Sequence, residues 1–146
     1  VLTNGDLLIS ESGELLRTMN VKDGFAMKYA IDNEYLITII SGGTNEAVRE
    51  RLVKLGINQV FLGSDNKIKE LEKLANDNNL KKEEILVMGD DILDIPILKN
   101  AGISCCPQDA VQEVKKICDY VSFKKGGCGA VREIIEQVMK IQKKWI

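Results

Sequence analysis

Apolar residues fall along this chain in short β-rich runs separated by longer stretches with helical spacing. The clearest run, Ile85 to Met88, ends at Gly89. It is followed by Ile92 to Asn100, a short helix whose first turn can hold Pro96 without losing a hydrogen bond. Tyr35 to Ile40 is a continuous apolar run of the kind found in strands covered on both faces. Gln59 to Leu62, Gly102 to Cys106 and Tyr120 to Ser122 read as three more strands. Between them, Phe25, Ala26, Tyr29 and Ala30 mark a helix within Val21 to Asn33. Ala47, Val48, Leu52 and Leu55 share the face of a second helix, and Ile68, Leu71, Leu74 and Ala75 that of a third. Ala110 to Cys118 and a final stretch from Ala130 complete the helices. The alternation predicts an α/β fold, a doubly wound parallel sheet, in one domain over residues 1–146.

One segment does not fit that scheme. Leu7 to Ser10 and Glu14 to Met19 read as a β-hairpin turning at Glu11 to Gly13, an insertion near the N-terminus. A hairpin this short does not hold together alone in water. Leu7, Ile9, Leu15 and Leu16 would be buried either over the chain's own site or against other subunits, and unpaired strand edges favour the second.

Composition narrows the chemistry. The chain has 146 residues, enough for one well-filled core, with a formal charge of −2 and acids and bases interspersed. No basic stripe suggests nucleic acid, and no apolar run approaches the ~20 residues that cross a bilayer. Cys105, Cys106, Cys118 and Cys128 lack metal-ligand spacing and are expected as free thiols in a reducing cytoplasm. There is no histidine, so Ser-His-Asp, Cys-His and histidine–zinc chemistries are excluded.

Three strand ends carry polar groups. Beyond Gly89 come Asp90, Asp91 and Asp94, carboxylates at the carboxyl edge of the predicted sheet, where open α/β folds bind ligands. Clustered acids repel unless a cation lies between them, and hard oxygen donors without nitrogen or sulfur suit magnesium. An acidic N-cap would account for one of the three acids. Ser41, Gly42 and Gly43 offer a hydroxyl and unhindered amides at a helix N-terminus, a seat for phosphate. Lys67 stands at the start of a helix, where the macrodipole disfavours a cation unless an anion is near. Hydroxyl, ammonium and carboxylate-held magnesium together suit a phosphoryl group.

The order of these motifs resembles the haloacid dehalogenase-like phosphohydrolases. VLTNG, RTMNVKDGFAM from Arg17 to Met27, ISGG, NKI, GDDILDIPIL and GGCGAVREIIE extend the likeness over nearly the whole chain. The branch they resemble is the 3-deoxy-D-manno-octulosonate 8-phosphate phosphatases, capless enzymes of lipopolysaccharide sugar synthesis. Close relatives act on nine-carbon sialic-type acid 9-phosphates. The resemblance implies hydrolysis through an aspartyl-phosphate. It assigns metal binding to Asp90, and to Asp91 and Asp94 the holding of metal-bound water or orientation of the loop. It assigns phosphate binding to Ser41, Gly42 and Lys67, with Lys67 also neutralising the aspartyl-phosphate. Asp23 and Gly24 match a loop near the substrate end. Cys128 stands in a glycine-rich tail where relatives tend to carry a basic residue, and Gly43 where many carry arginine.

The family's nucleophile and its general acid stand in a DxDG motif immediately before the VLT that opens this sequence. A natural segment bearing them and the first core strand is therefore expected upstream of Val1. Without it the alternative is a non-catalytic oligomeric domain. The resemblance further implies homotetramers, in which the hairpins of residues 7–19 assemble and close each neighbour's site over a small sugar phosphate.

Overall fold

The computed structural model describes all residues from Val1 to Ile146. A hairpin, β1 (Leu8–Ile9) and β2 (Leu15–Leu16), precedes helix α1 (Val21–Asp32). Then come β3 (Thr38–Ile40), α2 (Glu46–Lys54), β4 (Gln59–Phe61) and α3 (Lys67–Asp77). The second half runs β5 (Leu86–Met88), α4 (Ile95–Lys99), β6 (Ile103–Cys106), α5 (Gln112–Lys115), β7 (Tyr120–Val121) and α6 (Ala130–Ile141). The α/β alternation is as expected, with shorter elements. Ile92–Asp94 forms a 3-10 turn ahead of α4 rather than its first turn, because Asp91 and Asp94 cap that turn with their own side chains.

All pairing outside the hairpin is parallel, but there are two sheets rather than one. β3 pairs with β4, Ile39 opposite Val60. β5 pairs with β6, Val87 opposite Ser104, and β6 with β7. The inner edges of β3 and β5 have no strand partner. Both strands line a cavity of about 540 Å3 whose walls are largely apolar. Thr38 Oγ1 is buried there without a hydrogen-bond partner.

Helices cover both faces, as alternation along β3 demands. Ile39 packs with Met27 of α1, Leu52 and Leu55 of α2 and Val60 of β4, a cluster that α6 closes through Val131 and Ile135. Ile40 packs with the other cluster, built from Leu71 of α3, Ile97 and Leu98 of α4, Cys106 of β6 and Val114 of α5. The double winding therefore survives the split of the sheet. All four cysteines are free, with Cys105 and Cys106 buried. No helix is long and apolar enough to cross a membrane.

The hairpin keeps its apolar side chains in the open. Leu8 and Ile9 are 66% and 68% exposed, and Leu15 and Leu16 about half exposed. A single hydrogen bond, from Asn45 Nδ2 to Leu15 O at 3.5 Å, leans it on the loop ahead of α2.

Candidate active site

The carboxyl ends of β3 and β5 meet one mouth of the cavity, where Ser41, Lys67, Asp90 and Asp94 all contribute to its wall. Asp94 organises this end. Its carboxylate is buried and accepts from Lys67 Nζ at 2.5 Å, from the Asp90 amide at 2.8 Å and from the Asp91 amide at 3.2 Å. Burial alone would raise its pKa. The Lys67 ammonium and the two amides outweigh that and hold it below the ordinary carboxylate value. Asp94 thus fixes both the Gly89–Asp91 loop and the lysine.

Gly89 makes that fold-back possible. A methyl group on it would stand 2.5 Å from Asp94 Cβ and 2.9 Å from its Cγ, so no larger residue lets the acid turn inward. Asp91, by contrast, is exposed and accepts from the Ile92 amide at 2.7 Å, which makes it a cap. The Asp90 carboxylate is 42% exposed and its Oδ2 lies 2.5 Å from the main-chain nitrogen of Val1.

The three acids do not form a cage: no group of three acidic or sulfur ligands is close enough to hold one ion. The residues still fit a magnesium ion of the kind that keeps most of its water. The Asp90 carboxylate opens onto the cavity, and one or two carboxylates plus water and phosphoryl oxygens suffice for that ion.

Ser41 follows β3 directly. Its amide donates to Phe61 O at 2.8 Å and its carbonyl accepts from Ser64 N at 3.0 Å, tying the loop to the end of β4. Its Oγ accepts from the Gly43 amide at 3.1 Å. Gly42 and Gly43 are not at a helix N-terminus as expected. Asn45 caps α2, its Oδ1 accepting from Ala47 N at 2.9 Å, and places the helix start at Glu46. Lys67 is the first residue of α3, behind the Asn66 cap. The expectation of a nearby anion is met by Asp94.

The remaining candidates lie elsewhere. Asp23 belongs to helix α1 and not to a loop. It is buried and accepts from Gly129 N at 3.3 Å and Arg132 N at 2.8 Å, so it ties α1 to the start of α6. Burial raises its pKa despite those amides. Gly24 faces Arg51 and Leu55, which a methyl group there would meet at ordinary contact distance. Cys128 is exposed on a separate, shallow cleft with Lys22, Phe123 and Arg132. The tail still reaches the first residues of the chain, Gly127 N donating to Val1 O at 2.8 Å. Arg17, quoted above only within a motif, also lines the cavity between β3 and β5. Nothing in its sequence spacing marks it, because the contact is made across a hairpin.

Residues 58–135 match the model of the haloacid dehalogenase-like hydrolases. The chain is 31% identical, over 144 residues, to the 3-deoxy-D-manno-octulosonate 8-phosphate phosphatase KdsC of Escherichia coli K12, covering 99% of this chain and 77% of that protein. The crystal structure of 3-deoxy-D-manno-octulosonate 8-phosphate phosphatase from Yersinia pestis is similar with a TM-score of 0.96 at 29% identity, covering 99% of this chain and 78% of the other. That from Moraxella catarrhalis, in complex with a magnesium ion, a phosphate ion and a KDO molecule, gives 0.95 at 26% identity, over 99% and 83%. The serine, lysine and acidic loop at one cavity mouth, the parallel α/β frame and these similarities agree: the chain belongs to the 3-deoxy-D-manno-octulosonate 8-phosphate phosphatase family of haloacid dehalogenase-like hydrolases.

Proposed function

We propose that this chain is the body of a magnesium-dependent phosphatase for 3-deoxy-D-manno-octulosonate 8-phosphate, releasing the sugar acid and phosphate. The observation that carries this is the convergence of Ser41, Lys67 and Asp90 on one mouth of one cavity. Ser41 Oγ donates to a phosphoryl oxygen once its proton is turned outward, since it accepts, rather than gives, in its bond to Gly43. Lys67 supplies a positive charge whose place Asp94 fixes. Asp90 would hold the magnesium ion, whose part is to neutralise charge on the phosphoryl oxygens. Asp91 keeps the acidic loop in register by capping it.

Attack on phosphorus needs a further carboxylate, which the family carries on the strand leading into the position of Val1. The cavity between β3 and β5 suits such a strand, with two open parallel edges, apolar walls and its carboxyl end at Asp90. The exposed hairpin apolar residues support self-association into a tetramer, and the likeness to 3-deoxy-D-manno-octulosonate 8-phosphate phosphatases supports a place in lipopolysaccharide sugar synthesis.

The test is turnover, with magnesium, by the protein carrying a DxDG-bearing strand ahead of Val1. Release of phosphate from the eight-carbon acid 8-phosphate at a higher kcat/KM than from an N-acylneuraminate 9-phosphate is the expected result. The reverse order would transfer the protein to the nine-carbon substrate. Hydrolysis of neither would leave a non-catalytic domain.

A further inference from the structure

Arg17 follows the second arm of the hairpin and turns back over the loop after β3. A methyl group built on Gly43 would stand 3.3 Å from Arg17 Nη1 and 3.5 Å from Ser41 Oγ. The guanidinium and the hydroxyl thus both border the space beside Gly43. Glycine at residue 43 leaves this space free, where a side chain would make the guanidinium shift slightly. The hydrogen bond from Asn45 to Leu15 O, two residues earlier, holds the arm over the same loop.

Two side-chain cations line the cavity, Lys67 and Arg17. Lys67 is committed to Asp94. Arg17 takes part in none of the chain's six ion pairs. It also gives no hydrogen bond to any side chain at the cavity mouth. Guanidinium forks bind phosphoryl oxygens in pairs, and the bond is charge-assisted. An unpaired fork next to a hydroxyl presents two kinds of donor to one tetrahedral oxyanion.

We propose that Arg17 is a phosphoryl-binding residue, which the hairpin delivers to the anion held by Ser41 and which Gly43 admits. This rests on the phosphatase reading and adds a ligand to its site from a different element. It also gives the hairpin a duty within its own chain. Magnesium at Asp90 and the Lys67–Asp94 pair are untouched by it.

The experiment is titration of inorganic phosphate into the 146-residue chain with magnesium present, by calorimetry, at low salt. Arg17→Gln is expected to weaken phosphate about tenfold, as loss of one charge-assisted contact does, with magnesium affinity unchanged. Arg17→Lys should recover part of the loss. Arg17→Gln combined with Gly43→Arg should recover most of it, because the new side chain starts beside the place that Arg17 Nη1 leaves. Thermal unfolding of each variant, measured in parallel, separates lost binding from lost folding. Equal phosphate affinity in Arg17→Gln and the parent would overturn the assignment while leaving the phosphatase reading intact. Absence of saturable binding in the parent would overturn both.

Discussion

Asp94 and Gly89 work as one unit. The acid sends its charge inward to Lys67 and to two amides, and the glycine is the only residue that permits this approach. Because the folded-state pKa of Asp94 is depressed, its contribution to stability is present above the unfolded value near 3.8 and is lost as pH falls through the lower folded value. Urea unfolding from pH 6 down to pH 2 should show this as falling stability. In Asp94→Asn that part of the slope should vanish, and the protein should be weaker at pH 7 by roughly 3 kcal/mol, the lower end for breaking a buried pair. Gly89→Ala should push the carboxylate off its amides and loosen Lys67. A loss of at least 1–2 kcal/mol by denaturant titration is expected, together with at least tenfold lower kcat in the protein carrying a DxDG-bearing strand ahead of Val1. Unchanged stability would mean that the loop yields without strain. The acids, the glycine and the serine are legible in the sequence because they follow the end of a local apolar run, and the lysine because it opens a helix. The inward turn of Asp94 is not, since the sequence shows a carboxylate and not its rotamer. Arg17 escapes for a related reason: its neighbours Gly43 and Ser41 are more than twenty positions away.

At the scale of elements, the hairpin is the least settled part of the fold. Its two strands pair Leu8 with Leu16 and Ile9 with Leu15, yet leave those side chains facing water. A two-stranded ribbon gains little from its own contacts, and exposed leucine and isoleucine on adjacent strands form an apolar patch that favours burial against a second copy. Removal of residues 7–19 should therefore yield a smaller particle in analytical ultracentrifugation. An unaltered sedimentation coefficient per subunit mass would place the subunit contacts elsewhere. Other element boundaries were blurred in the sequence by competing caps. Asn45 delays α2 to Glu46, and Asp91 with Asp94 diverts the expected helix start into a 3-10 turn. Asp23 is read two ways. The apolar spacing puts it in a helix and the family resemblance on a loop; the helix holds, and its buried carboxylate satisfies two amides at the distant start of α6.

Across the whole molecule, helix-covered parallel strands were readable from their apolar runs, but the division into two sheets was not. Runs reveal that strands exist, not which ones touch. β3 and β5 face each other over an apolar gap with their main-chain groups unpaired on that side. Five apolar, β-branched residues joined ahead of Val1 should raise the midpoint of thermal unfolding by several degrees, since about 1 kcal/mol moves a domain of this size by roughly 2–6 °C. The amides of Ile39 and Val87 should exchange more slowly with deuterium. A polar, proline-bearing segment of the same length should do neither.

The open-sided frame also bears on how the 146-residue chain behaves in a crowded solution. Any passing stretch with alternating bulky side chains finds donors and acceptors on its left and right at once, a stronger template than an ordinary sheet margin. Copies that meet can trade segments and stack without limit, so turbidity and thioflavin fluorescence should climb steeply with concentration on warming. A short apolar leader should abolish that growth, making colloidal behaviour a direct report on whether the gap has been bridged.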